Sequence, residues 1–271
     1  MIPPARAAQD AGVGVGVGAF SGAFGVGGGI LLVPFLVLAR DVEQKTAQAT
    51  SLVMVAMAAA AGAVRYTLDD RVAWLPAAFI LAGGLAGAWL GAHLVQRSPS
   101  ALLQALFGVV LGVAGVRMLW PDGAGSGSLP ELPDLSATVA VGYVVAGLGM
   151  GLLSALFGIG GGILLVPILV TGFGYEQSLA AGTSLAVMVP IALLGAVRLT
   201  RPGLTRWGEG VGYGLGAIVG ALIGASLALV IGGSVMRVAF GVLMLAIGAR
   251  MAWTAWQGRR SATGPDPLDG G

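Results

Sequence analysis

Phe24 to Pro34 reads FGVGGGILLVP, and Phe157 to Pro167 reads FGIGGGILLVP. The offset is 133 residues, and it holds without a gap on both flanks. Ser21 aligns with Ser154, Glu43-Gln44 with Glu176-Gln177, and Thr50-Ser51-Leu52 with Thr183-Ser184-Leu185. Further along, Arg65 falls on Arg198, Trp74 on Trp207 and Arg117 on Arg250. A biased composition can reproduce a glycine run, but not aligned arginines, tryptophans and a TSL triplet at one spacing. The chain is a duplicated unit.

Its surroundings are apolar. Hydrophobic residues make up 56% of 271 positions and charged ones 10%, with a mean hydropathy of +0.92. A soluble domain carries about a quarter charged residues, so this inventory cannot cover a water-facing surface. Each unit divides into four apolar segments, and a helix needs about 20 residues to cross the hydrocarbon layer. In the first copy they run near Gly12 to Leu38, Ala47 to Tyr66, Val72 to Val95 and Ala101 to Trp120. In the second they run near Val139 to Val170, Ser178 to Leu199, Trp207 to Ile231 and Val235 to Trp256. The expected fold is an all-α integral membrane protein of two tandem repeats, the first segment of each broken or re-entrant at its glycine cluster. The first transmembrane repeat covers 1–120 and the second 136–257. Between them PDGAGSGSLPELPDL, 121–135, reads as an extramembrane linker, and 258–271 reads as a disordered tail.

Composition also excludes classes. With no cysteine and one histidine, neither disulfides nor a cysteine or histidine metal site can be assembled. No cofactor is implied, and no cleavable signal peptide is evident. The net charge of +2 and pI near 9.4 do not read as nucleic-acid binding, because the arginines sit at segment ends, as topology markers in a lipid bilayer. If all segments cross, the halves are parallel. If the glycine-broken segments dip in and return, the halves are inverted, as in many transporters. Lysine and arginine divide ten against four under both arrangements, which places both termini in the cytoplasm and leaves the arrangement open.

Three groups of residues could carry function, and a fourth serves packing. Gly25, Gly27, Gly28 and Gly29, with Gly158, Gly160, Gly161 and Gly162, weaken a helix by roughly 1 kcal/mol each relative to alanine. Pro34 and Pro167 follow as second breaks. Non-helical backbone at membrane depth needs protein or a water-filled cavity around it, and the amides it exposes suit an anion. The structural reading is close helix packing. The spacing is not that of a dinucleotide or ATP loop, since Ile30 and Ile163 occupy the sixth position and no lysine follows. The hydroxyls of Ser21, Thr50 and Ser51, with Ser154, Thr183 and Ser184, can donate to substrate oxygens or can cap and join helices. Arg65 and Arg198 lie fifteen residues beyond their threonines, about 22 Å along a helix, as topology markers or an anion-attracting vestibule. Gly83, Gly87 and Gly91, with Gly216, Gly220 and Gly224, form four-residue ridges for close packing. No acid lies deep within an apolar segment, which gives no support to proton coupling. No nucleophile, base and orienting acid can be grouped, so an enzyme is not expected.

These residues resemble the sulfite exporter TauE/SafE family of membrane permeases. The resemblance covers both halves through FG-x-GGG-ILLVP and A-x-x-TS-L, here Phe24 to Pro34 with Ala47 to Leu52, and Phe157 to Pro167 with Ala180 to Leu185. It implies transport of small sulfur-containing anions such as sulfite or organosulfonates. Related thiosulfate importers carry cysteines along their path, and this chain has none. The expected protein is a multi-pass secondary transporter of the cell membrane, an exporter that binds a small anionic substrate between its repeats. A homodimer is compatible with that reading. The competing readings are a channel-like anion pore and a non-transporting membrane scaffold.

Overall fold

The computed structural model describes residues 4–94, 112–113, 115–119, 136–157, 160–200 and 203–262. Gly158 and the linker 121–135 lie outside the described residues. The helices that matter for function are α1 (Pro4–Phe24), α2 (Gly29–Ala39), α3 (Gln44–Thr67), α4 (Trp74–Leu94), α5 (Ala137–Phe157), α6 (Gly162–Pro167), α7 (Gln177–Thr200), α8 (Trp207–Ile231) and α9 (Gly233–Ala262). A π-helical turn, Ile168–Gly172, continues α6. Five of these helices are long and apolar enough to cross a membrane: α3, α4, α5, α7 and α8. α9 runs to Ala262, into the expected tail, and residues 263–271 lie outside the described residues.

The directions of the helices follow from which residues meet. Ala11 faces Gly216, Val15 faces Gly220 and Ala19 faces Gly224, so α1 and α8 run parallel. Ile80 at Gly147 and Gly84 at Gly151 make α4 and α5 parallel as well. α3 runs with α8, bringing Thr50 to Gly210, Met57 to Gly214 and Arg65 to Ser226. It opposes α7, where Gly62 meets Leu185 and Leu52 meets Gly195. α4 runs with α7, from Ala73 at Thr183 to Gly84 at Ile191. Hence α1, α3 and α8 point one way, and α4, α5 and α7 the other.

Because α5, α7 and α8 are the repeat copies of α1, α3 and α4, each helix of the second unit runs opposite to its copy. The repeats are inverted. It follows that α2 must return after α1. Gly28 lies against Val17, and at the far end Arg40 Nη2 donates to Asp10 Oδ1 at 2.7 Å. The second unit repeats the fold-back with different chemistry. Gly161 lies against Met150, and Phe173 stacks on Tyr143 at 4.4 Å between ring centroids. The segments expected at Gly12 to Leu38 and Val139 to Val170 are therefore hairpins rather than crossings. Face A denotes the membrane side from which α1 and α3 start, and face B the other. α9 leaves face B, and its 30 residues span about 45 Å, enough to return the chain to face A.

Asp10, which precedes the first apolar segment, is nonetheless buried near the face A end of α1. α1 begins at Pro4, so Asp10 is inside the helix and only 3% exposed. Arg40, delivered by the returning α2, neutralises it, which is the usual condition for a buried charge.

The two units are interleaved: the first helix of each packs on the third long helix of the other. Glycine makes this contact possible. A Cβ on Gly220 would lie 2.0 Å from the Val15 carbonyl oxygen, and one on Gly87 2.1 Å from that of Leu148. Lipid tails are as apolar as leucine, so helix association in a bilayer relies on such close backbone approach. The four-residue ridges are packing devices, as their spacing implied.

Two outcomes are expected. Gly220→Leu lowers stability by about 3 kcal/mol through overpacking, read by thermal unfolding in detergent, whereas Gly16→Ala, with nothing within 4 Å, does not. In this cysteine-free background, Trp74→Cys and Trp207→Cys, aligned and exposed, react with an impermeant thiol reagent from opposite membrane sides. Labelling from one side would mean parallel repeats.

Candidate functional site

The two glycine breaks meet. Val55 and Met188, themselves repeat copies, stand at the midpoints of α3 and α7. A Cβ on Gly27 would lie 1.9 Å from Met188 Cε and 3.1 Å from Val55 Cγ1. One on Gly160 would lie 2.4 Å and 3.0 Å from the same two atoms. A Cβ on Gly162 would fall 2.3 Å from the Gly25 carbonyl oxygen and 2.9 Å from Ser184 Oγ. The inverted hairpins thus touch tip to tip, halfway along helices of 24 residues each.

The local reason is the left-handed backbone of the breaks. φ is +72° at Gly25, +85° at Gly27, +68° at Gly28, +86° at Gly160 and +75° at Gly161. Only glycine adopts such values without a steric cost. The α-helical ladder of α1 ends at the turn, where its last carbonyls lose their helical partners, and specific groups meet several of the carbonyls near it. Gly25 N–H donates to Ser21 O at 2.9 Å, and Tyr66 Oη donates to Gly22 O at 3.1 Å. Ser184 Oγ, from the other unit, donates to Gly25 O at 2.9 Å. On the donor side, Gly29 N–H bonds Gly27 O. The amides of Val26, Gly27 and Gly28 have no backbone acceptor among the described residues. Ser21 Oγ, fully buried beside Gly28, has no protein partner there either.

The remaining candidates separate into distinct places. Thr183 Oγ1 accepts the Ala73 N–H at 3.0 Å, and Thr50 Oγ1 accepts the Arg206 N–H at 3.2 Å. Ala73 and Arg206 are aligned residues just before α4 and α8. Each threonine therefore fixes the start of a helix in the opposite unit. Ser51 Oγ donates to Gln48 O in its own helix, and Ser154 is buried in α5. Gly158 lies outside the described residues. Arg65 lies near face B, bonding Ser226 Oγ at 2.9 Å and pairing with Asp69. Arg198, exposed near the end of α7, lies toward face A. Inversion puts the two arginines on opposite sides, so they do not form one vestibule.

Three residues that the repeat did not single out contribute. Tyr66 aligns with Leu199, so a search for matching positions passes over it. Arg71 pairs with Glu176 across the units on face B, and Leu204 stands at its aligned position. Tyr175 Oη is 2.9 Å from Tyr143 Oη in the same region, and burial, reinforced by that hydrogen bond, raises its pKa well above the ordinary phenol value. The Tyr175 phenol stays neutral at physiological pH.

Inverted halves, each with a glycine-broken hairpin and the breaks joined at mid-depth, define a membrane protein of the transporter class. The chain belongs to the sulfite exporter TauE/SafE family, whose sequence model, described as "Sulfite exporter TauE/SafE", matches residues 3–118 and 143–268. It is 28% identical over 245 residues to a "Probable membrane transporter protein" of Xylella fastidiosa, covering 89% of this chain and 92% of that one. A probable membrane transporter protein of Methanocaldococcus jannaschii is 30% identical, with 68% of each chain covered. The probable membrane transporter protein YunE of Bacillus subtilis is 24% identical over 72% of this chain and 78% of its own. No solved structure matches the chain.

The site geometry predicts a coupling between Gly27 and Met188. Gly27→Ala destabilises the protein through its positive φ and its clash with Met188 Cε. Adding Met188→Ala removes the clash but not the backbone strain, so the double variant recovers part of the loss, about 1 kcal/mol in a double-mutant cycle. Independent, additive effects on the unfolding temperature would show that the breaks do not meet there.

Proposed function

We propose that this chain is a secondary transporter that exports small sulfur-containing oxyanions, sulfite or an organosulfonate, from a site between its two repeats. The observation that carries the reading is the meeting of the two breaks halfway along α3 and α7. There the amides of Val26, Gly27 and Gly28, without a backbone acceptor among the described residues, the N-terminus of α2 and the buried Ser21 hydroxyl supply donors. Donors of this kind suit an anion's oxygens, because backbone N–H groups and a helix N-terminus together offer partial positive charge without a titratable group. The sulfur chemistry of the substrate follows from the family, not from the donors.

A carrier fits the burial better than an open pore does. Ser21, Val26 and Ser184 are 0% exposed, so substrate reaches them only when the units move. Inverted hairpins offer such a movement, each unit opening one face while the other closes. The family is one of membrane transporters, and the chain works as a carrier rather than as an enzyme. The ten-to-four division of lysine and arginine supports a reading in which face A, with both termini, lies on the cytoplasmic side of a cell-membrane protein. On this reading Thr50 and Thr183 hold the units in register and do not bind the anion.

Purified protein in liposomes is expected to carry sulfite or a sulfonate with saturation and with acceleration by anion on the far side. Replacing Gly27, Gly28, Gly160 and Gly161 together by leucine abolishes that flux. Undiminished flux in this variant would reject the site, and linear, unaccelerated flux in the unaltered protein would indicate a pore.

A further inference from the structure

On α7, Gln177, Ala181, Ser184 and Met188 follow one another at steps of four, three and four residues, and so share one helix face. Three of them are already placed against the first hairpin. Ala181 lies against Gly25, Ser184 donates to Gly25 O, and Met188 lies under Gly27. Gln177 heads the same row, two turns beyond Ser184 toward face B, about 10 Å along the helix.

Gln177 is 3% exposed, yet neither Nε2 nor Oε1 has a hydrogen-bond partner among the described residues. A buried carboxamide without hydrogen bonds carries a large desolvation penalty, and a leucine of similar size would avoid it. The amide is not needed to hold its neighbours. Glu176 is paired with Arg71 and accepts from Ser178 Oγ at 3.0 Å. That pairing also offsets the negative charge that would otherwise oppose an anion on this side. The aligned Gln44 is exposed at the start of α3, on the opposite face. The two glutamines thus occupy equivalent positions on either side of the central breaks, one open to its surroundings and one closed in.

We infer that Gln177 is a second contact for the transported oxyanion, between the central site and face B, its Nε2 donating to an anion oxygen on the way through. This rests on the transport reading above. A neutral amide suits the position because it binds without holding the anion as a fixed cation would.

The test is Gln177→Leu, with Gln177→Met as a second apolar variant should the first not purify. Thermal unfolding is followed without anion and across a sulfite titration, and sulfite flux is measured in liposomes. Without anion the variant melts at or above the unaltered protein, because an unsatisfied amide has been removed. With sulfite, the concentration giving half the maximal shift, and the KM for flux from face B, rise at least tenfold. An unchanged sulfite response, or a clear drop in melting temperature without anion, would overturn the inference while leaving the transport reading intact. If the unaltered protein shows neither a shift nor flux with sulfite or a sulfonate, the transport reading fails and this inference fails with it.

Discussion

Backbone that leaves a helix inside a bilayer must be covered by protein or by a water-filled cavity, and the rest of this fold depends on how that demand is met. Both breaks are deep, and each draws part of its cover from the other unit, Gly27 from Met188 and Gly160 from Val55. Gly25 O accepts from Ser184 of the other half, and the Gly162 backbone presses against the same carbonyl. The second unit therefore completes the first. Interleaving follows from this need: α1 lies on α8 and α4 on α5, through glycine ridges that let backbones approach until a methyl group would not fit.

Inversion gives the pair of hairpins a common centre, but their outer ends differ in chemistry. On face A the returning helix is held by Arg40 and Asp10, and on face B by the stack of Phe173 on Tyr143. Arg71 and Glu176 join the units on face B, where the aligned positions on face A are Leu204 and Glu43. Burial differs in the same sense, with Leu31 of α2 39% exposed and its copy Leu164 8%. Identical halves would have the same stability in both arrangements. Here one end is held by an ion pair and the other by a ring stack, so the two halves are not chemically equivalent.

The polar inventory divides by role along the same geometry. The threonines of the repeated TS-L element are engaged by backbone amides at the starts of α4 and α8, so they hold one unit in register with the other. The serines lie nearer the breaks, Ser184 bonded to Gly25 O and Ser21 without a partner among the described residues. Two adjacent hydroxyls on one helix thus differ in task because they point 100° apart, one toward the opposite unit's loop and one toward the opposite unit's break.

Sequence alone determined the membrane class, the duplication, the glycine breaks and the packing ridges. These properties reside in composition and in spacing along one helix, which a chain carries whatever its partners. The family followed from the same repeated elements. Whether the repeats were parallel or inverted could not be read, because arginine and lysine divide ten against four in both arrangements. Only tertiary structure decided that Gly12 to Leu38 folds back on itself, since the evidence is Arg40 meeting Asp10 and Gly28 meeting Val17 across the hairpin. Asp10 was passed over because it precedes the apolar run, although α1 extends beyond that run. The meeting of the two breaks was also beyond the sequence. It depends on the depth and direction of four helices at once, and those are fixed by contacts between residues more than a hundred positions apart.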